Sequence, residues 1–198
     1  MLTFDQFLQN AADEGRSVNC VWEESLFDVL GVTEKITAAL TAQIIPHEII
    51  GGLAVLIHVE DSGAADGVMT ADSDVLIRRS DLPGVIEIAE ENGFSGSGDR
   101  LKHAAFRALV HLHLTGEKSS ESQAMPHPEI SPTRKTLHGL DVPVMRLHDL
   151  VLTGLSSERT IDRVSIRSMD AASLITADVE AALPEKLRSR LQNIRDTE

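Results

Sequence analysis

Apolar residues recur at helical spacing over Leu2, Phe4, Phe7, Leu8 and Ala11, with Thr3 placed to cap the first turn. A short helical segment follows at Glu24 to Leu30. A third starts at Thr33, runs through Ile36, Leu40 and Ile44, and stops at Pro46, which cannot continue a helix. The pattern changes at His47. His47 to Ile50 reads as a strand, Gly51-Gly52 turns the chain, and Leu53 to His58 forms a helix. Glu60 to Met69 is a polar loop holding Gly63 and Gly67, and Val75 to Ile77 is a short strand. Leu82 to Asn92 predicts a helix with Pro83 in its first turn and Gly93 past its end. Ser95 to Asp99 reads as a flexible turn. Residues 101–107 and 108–115 read as two strands, or one strand after an irregular segment. Gly116 to Thr136 has little periodicity and predicts a long loop, and Val142 to Leu147 predicts a strand. Helical stretches close the chain at 148–156, 158–173 and 176–194, with Thr176 as a cap and Pro184 kinking or splitting the last. Short strands alternating with helices imply an α+β fold, a small mixed sheet packed by helices. Three segments result: helices over 1–45, a sheet-bearing core over 46–147, and a helical tail over 148–198.

Hydrophobic residues make up 42% of 198, enough for a sizeable core in one domain with a helical extension. The single Cys20 excludes an internal disulfide and points to a reducing compartment. No apolar run is long enough to cross a membrane, and no basic cluster opens the chain; a cytoplasmic protein is expected. Eighteen basic against thirty-one acidic residues give a net charge of −13. That balance disfavours a large polyanionic partner, although Arg78, Arg79, Arg100, Lys102 and Arg107 could form a local basic patch.

The candidate chemistry sits in Ile49 to Arg79. Gly51-Gly52 opens a helix, where bare backbone amides can approach a phosphate. Downstream, Asp72 and Asp74 lie two apart at the start of an apolar run. On a strand, residues two apart share a face, so both carboxylates would aim at one place. Adjacent carboxylates repel unless a cation lies between them, and a hard divalent ion is the usual answer. By the same repulsion, Asp74→Asn is expected to cost little stability or to raise it.

Gly-Gly at a helix start followed by Asp-x-Asp on the next strand resembles the nucleotidyltransferase superfamily with the DNA polymerase β-like fold, in particular its small bacterial AbiEii-toxin-like and MNT-type branch. The resemblance covers most of residues 40–180. It extends to Leu109 to Lys118 as a third core strand and to Pro143 to Ile175 as the C-terminal strand and helices. It implies a metal-dependent enzyme that moves NMP from an NTP to a hydroxyl on an RNA end, a protein or a small molecule. The implied site has Mg2+ (or Mn2+) on Asp72 and Asp74, and phosphates over Gly51 and Gly52 with Arg78 or Arg79. A toxin–antitoxin or phage-defence role, with a cognate antitoxin or other protein partner, comes with that branch.

Two positions depart from the family pattern. Where the third acidic residue is expected, the chain has His111, or alternatively His113, with Glu117 just beyond the strand end. Gly154 stands where relatives commonly carry a lysine, while Arg159 and Asp162 match the rest of that block, at a spacing that also suits a local ion pair. These changes motivate a second reading: a catalytically degenerate relative that binds a nucleotide or a partner protein. For His111 and His113 the plainer account is two half-buried strand histidines on one face; His127 and the remaining histidines show no metal-ligand spacing.

Overall fold

The computed structural model describes residues 18–64, 70–137 and 140–197. The helix expected over Leu2 to Ala11 lies outside them. A single helix, α1 (Val18–Ala42), replaces the two segments expected at Glu24 and Thr33. Thr33 is not a cap. Its hydroxyl lies inside the helix, within 2.6 Å of the Val29 carbonyl and 2.8 Å of Ser73 Oγ. Gly31 also lies within the helix, where a side chain would strike the Phe106 ring. The chain leaves α1 through Ile44, which has a positive φ of 57°.

Next come β1 (His47–Ile50), α2 (Gly51–Asp61) and β2 (Ser73–Ile77). After a turn of 3-10 helix at Arg79–Asp81 comes α3 (Leu82–Glu91), with Pro83 in its first turn and Gly93 beyond its end at φ 84°. The Gly/Ser stretch after it is not a flexible turn. It pairs as β3 (Phe94–Ser97) with β4 (Arg100–His103) in a hairpin, and Gly96 is required because a Cβ there would lie 2.0 Å from the Arg100 carbonyl oxygen. β5 (Leu109–Leu114) follows. The expected 116–136 loop ends early, in β6 (Thr133–Leu137), a hairpin partner of β7 (Leu140–Val144). Alternation was hard to read in β6 because this edge strand is polar.

The seven strands form one mixed sheet, ordered β3-β4-β5-β2-β1-β7-β6. β1 and β2 are antiparallel, whereas β2 and β5 are parallel, with Asp74 opposite His111 and Leu76 opposite His113. Successive residues of a strand face opposite ways. Thus Ser73 of β2 meets α1 through Thr33, and Asp74 turns away from it. On that second side α2 packs with α4 (Leu147–Ser156) and α5 (Thr160–Ala171). Leu53 to Val59 of α2 are all buried, so this helix is apolar all round and central to the core. The tail splits at Pro184 into α6 (Ala177–Ala182) and α7 (Glu185–Asp196), and Thr176 Oγ1 accepts the Val179 amide. One apolar cluster runs from Val29 to Ile194 and joins tail to sheet. Among the described residues, no helix is long and apolar enough to cross a membrane.

Candidate active site

The bend between β1 and α2 brings the backbone against an acid. Gly51 has a positive φ of 64°, and a Cβ there would lie 2.3 Å from Asp74 Oδ2. Only glycine permits both the turn and that approach. A Cβ on Gly52 would sit 3.1 Å from Thr70, whose hydroxyl donates to the Asp72 carbonyl and shapes the entry to β2. Ile50, the N-cap of α2, makes no side-chain hydrogen bond to the first turn of that helix.

Asp74 meets two imidazoles from β5. His113 Nε2 lies 2.9 Å from Asp74 Oδ1, a hydrogen bond, and His111 Nδ1 lies 3.6 Å from the same oxygen, an ion-pair contact. Parallel register places both histidines on the face of Asp74. Burial alone would push the Asp74 carboxyl up; the histidines reverse this and hold it well below the usual carboxylate range. Contact with Asp74 raises the His111 imidazole against a smaller opposing effect of burial. Asp72 precedes the strand, and its Oδ1 accepts the Leu109 amide at 3.2 Å.

The polar chain continues beyond β5. His113 Nδ1 lies 2.8 Å from Ser119 Oγ, and Ser119 Oγ lies 2.6 Å from His127 Nε2. Burial pushes the His127 imidazole down to about 4, and neighbouring His113 adds to the effect. Its Nδ1 is buried without a partner among the described residues. Gln123 accepts the Ser119 amide, and the amides of Gly116 and His127 close the loop.

Gly51, Asp74, His113, Ser119, Gln123 and His127 line one side of a cleft that opens to solvent. Helices α4 and α5 supply the other side, including Thr153, Gly154, Arg159 and Asp162. Arg159 and Asp162 form an ion pair at 2.7 Å, which leaves the guanidinium at the rim. The Thr153 hydroxyl is buried without a partner among the described residues. Gly154 packs where a Cβ would lie 3.1 Å from Ile166, so close helix packing accounts for a small residue there.

Among the residues expected from sequence, Gly51 and Asp74 lie together in the cleft, with His111 beside Asp74. Asp72, Arg78 and Arg79 are not part of the cleft lining. Arg79 and Glu117 pair through two hydrogen bonds, so each neutralises the other. Among the described residues, no three His, Cys, Asp or Glu side chains converge closely enough to hold a metal ion. One Asp72 oxygen is engaged by an amide and one Asp74 oxygen by imidazole, and His111 is a poor ligand for magnesium. Among the described residues, Asp72 and Asp74 are joined by no third such ligand. Ser119 carries no signal in the sequence, and His127 shows there only the lack of a metal-ligand spacing; both lie in an aperiodic stretch, and separations of 6 and 8 residues between His113, Ser119 and His127 match no standard motif.

No protein-family model matches the sequence, and no curated protein sequence is similar enough to count as a relative. Solved structures resemble it in shape. The crystal structure of ANT(2'')-Ia in complex with adenylyl-2''-tobramycin matches with a TM-score of 0.52 at 16% identity, over 82% of this chain and 96% of that one. The solution structure of ANT(2'')-Ia, described as an antibiotic-resistance factor, gives 0.51 at 16% identity, over 81% and 89%. An antigenic nucleotidyltransferase-like protein from Paracoccidioides brasiliensis gives 0.54 at 15% identity, over 84% and 87%. The chain therefore has a nucleotidyltransferase-like fold. At such identities the likeness is one of fold.

Proposed function

We propose that the cleft binds an NTP and transfers its NMP to a hydroxyl acceptor. The approach of Gly51 to Asp74 carries this reading: a helix start with no N-cap side-chain bond and a half-buried, ionised acid meet in one cavity. Phosphates favour such a helix start, where amides point at the ligand and the helix dipole is positive. Arg159 lines the cleft at its rim and would reach the triphosphate tail by exchanging its Asp162 partner for phosphate oxygens. The divalent ion implied by the resemblance arrives with the nucleotide, as part of the substrate. The orphaned Thr153 hydroxyl and His127 nitrogen support a polar ligand, because buried polar atoms are otherwise paired.

A small-molecule acceptor fits better than a nucleic-acid end, since the chain carries a net charge of −13. The structure of ANT(2'')-Ia with an adenylylated tobramycin is that of a similarly folded protein with a nucleotidylated small molecule. A toxin–antitoxin setting rests on the sequence resemblance alone.

A second reading is favoured by one observation: the carboxylate facing the cleft is already engaged by two histidines. In that reading the protein binds a nucleotide or a partner without transfer. The two separate in one experiment. Incubation with α-labelled NTPs, Mg2+ or Mn2+ and a panel of hydroxylated small molecules or total tRNA is expected to label an acceptor, and Asp74→Ala to lose the label. Nucleotide binding without transfer under either metal supports the second reading; absence of binding overturns both.

A further inference from the structure

Ser119 lies between two imidazoles in the same cleft, and the polarity of its hydrogen bonds follows from one end of the chain. The ionised Asp74 carboxylate can only accept, so it takes the Nε2–H of His113. A neutral His113 ring then presents Nδ1 as an acceptor, and the Ser119 hydroxyl donates to it across 2.8 Å. The remaining Oγ lone pair then takes the Nε2–H of His127 at 2.6 Å, which makes His127 Nδ1 an acceptor, and that nitrogen has no partner among the described residues. Every link of Asp74–His113–Ser119 has the connectivity of an orienting acid, a base and a nucleophile. The ring nitrogens are exchanged relative to the serine-hydrolase arrangement, which leaves the proton transfer possible in the same sense. Ser119 is exposed and lines the cavity beside Gly51.

We infer that Ser119 is an activated nucleophile that accepts an NMP from an NTP held in the cleft, forming a nucleotidyl-serine. This rests on the reading of the cleft as an NTP site. Ser119 Oγ attacks the α-phosphorus, and an Oγ–P bond forms. The bond from that phosphorus to the β-phosphate bridging oxygen breaks, and pyrophosphate leaves. The serine proton passes to His113 Nδ1, and the Asp74 carboxylate stabilises the imidazolium so formed. Asp74 acts through His113 and is a positioning residue in this step. The adjacent hydroxyls have no such partner: Ser120 and Ser122 bond each other at 3.0 Å.

The test combines calorimetric binding of Mg2+–NTP with intact mass and peptide mapping of the full chain after incubation. Wild type is expected to bind and to gain one NMP at Ser119. Ser119→Ala is expected to bind the nucleotide and stay unmodified, His113→Asn to form the adduct about 100-fold more slowly, and Ser122→Ala to behave as wild type. Binding by the wild type with no adduct, or an adduct that persists in Ser119→Ala, overturns the inference and leaves the cleft reading intact. No binding by the wild type overturns both.

Discussion

Two polar networks in this molecule look alike in composition and differ in closure. In the helical tail, Arg195 grips Asp170 through two hydrogen bonds of 2.9 and 2.7 Å and reaches Glu180 at 2.8 Å. One cation satisfies two carboxylates from separate helical segments, and both acids raise the Arg195 pKa in return. At the sheet, the chain from Asp74 through His113 and Ser119 ends on a histidine with an orphaned nitrogen. Nearby, His111 Nε2 is also buried and has no partner among the described residues. A network that closes on itself fastens elements together. One that ends on open valences beside a cleft is arranged for something outside the protein.

The comparison can be broken most severely at Gly51. Gly51→Ala places a methyl on Asp74 and forces an L-residue to a positive φ, at a cost of about 2–4 kcal/mol. Chemical denaturation should show that loss together with lost NTP binding. Gly63, at φ 80° with open space around it, is the control, and Gly63→Ala should cost about 1 kcal/mol with binding unchanged.

Next in size is Asp74→Asn. Sequence reasoning expected no penalty from removing a like-charge repulsion, but the carboxylate faces histidines, and the sign reverses. Its loss should cost about 1–2 kcal/mol and should depend on pH. Asp74 titrates lower in the fold than its ordinary 3.8, so its contribution is present above that pH and lost as pH falls through the folded value. His111 titrates higher than its ordinary 6.5, so its contribution is full below 6.5 and lost as pH rises through the folded value. The difference between wild type and Asp74→Asn should therefore peak between about pH 4 and 6.5. A flat difference would mean that the pair is not ionic.

Glu48 sharpens the contrast from a third location. It is buried on β1 with a carboxyl raised to about 7, chiefly by burial, and its Oε2 accepts the Ser131 amide. A raised carboxyl pKa means the folded state holds a proton longer than the unfolded chain, so stability falls as pH rises from 4.5 to about 7. Glu48→Gln should leave stability unchanged at pH 4 and raise it by about 1–2 kcal/mol at pH 8. The smallest effect is expected in the closed network. Arg195→Ala should cost about 1 kcal/mol, since its partners are partly solvated, and should leave NTP binding untouched.

Local rules made much of the fold legible. Gly51-Gly52 after a short apolar run, Pro83 with Gly93, and Thr176 with Pro184 each mark an element end through backbone sterics, and each stands close to where it was expected. The errors have equally local causes. A helix was expected to start at Thr33, yet α1 runs through it: Phe106 fills the space beside Gly31 and Ser73 pairs with Thr33, so tertiary contact holds that stretch in one helix. Gly96 looks like a flexible joint because glycine is permissive, but here that freedom serves a tight strand crossing.

The spacing of Asp72 and Asp74 and the diglycine bend were visible in the chain by itself, because alternation along a strand and the φ range of glycine are properties of single residues. Which partners those acids meet was decided only by folding. Parallel pairing of β2 with β5 sets His111 and His113 against Asp74, and the loop after β5 brings Ser119 and His127 to the same cleft. Those neighbours are distant in sequence and obey no fixed spacing, so electrostatics that sequence treats as repulsion between two acids becomes, in three dimensions, attraction between an acid and two bases.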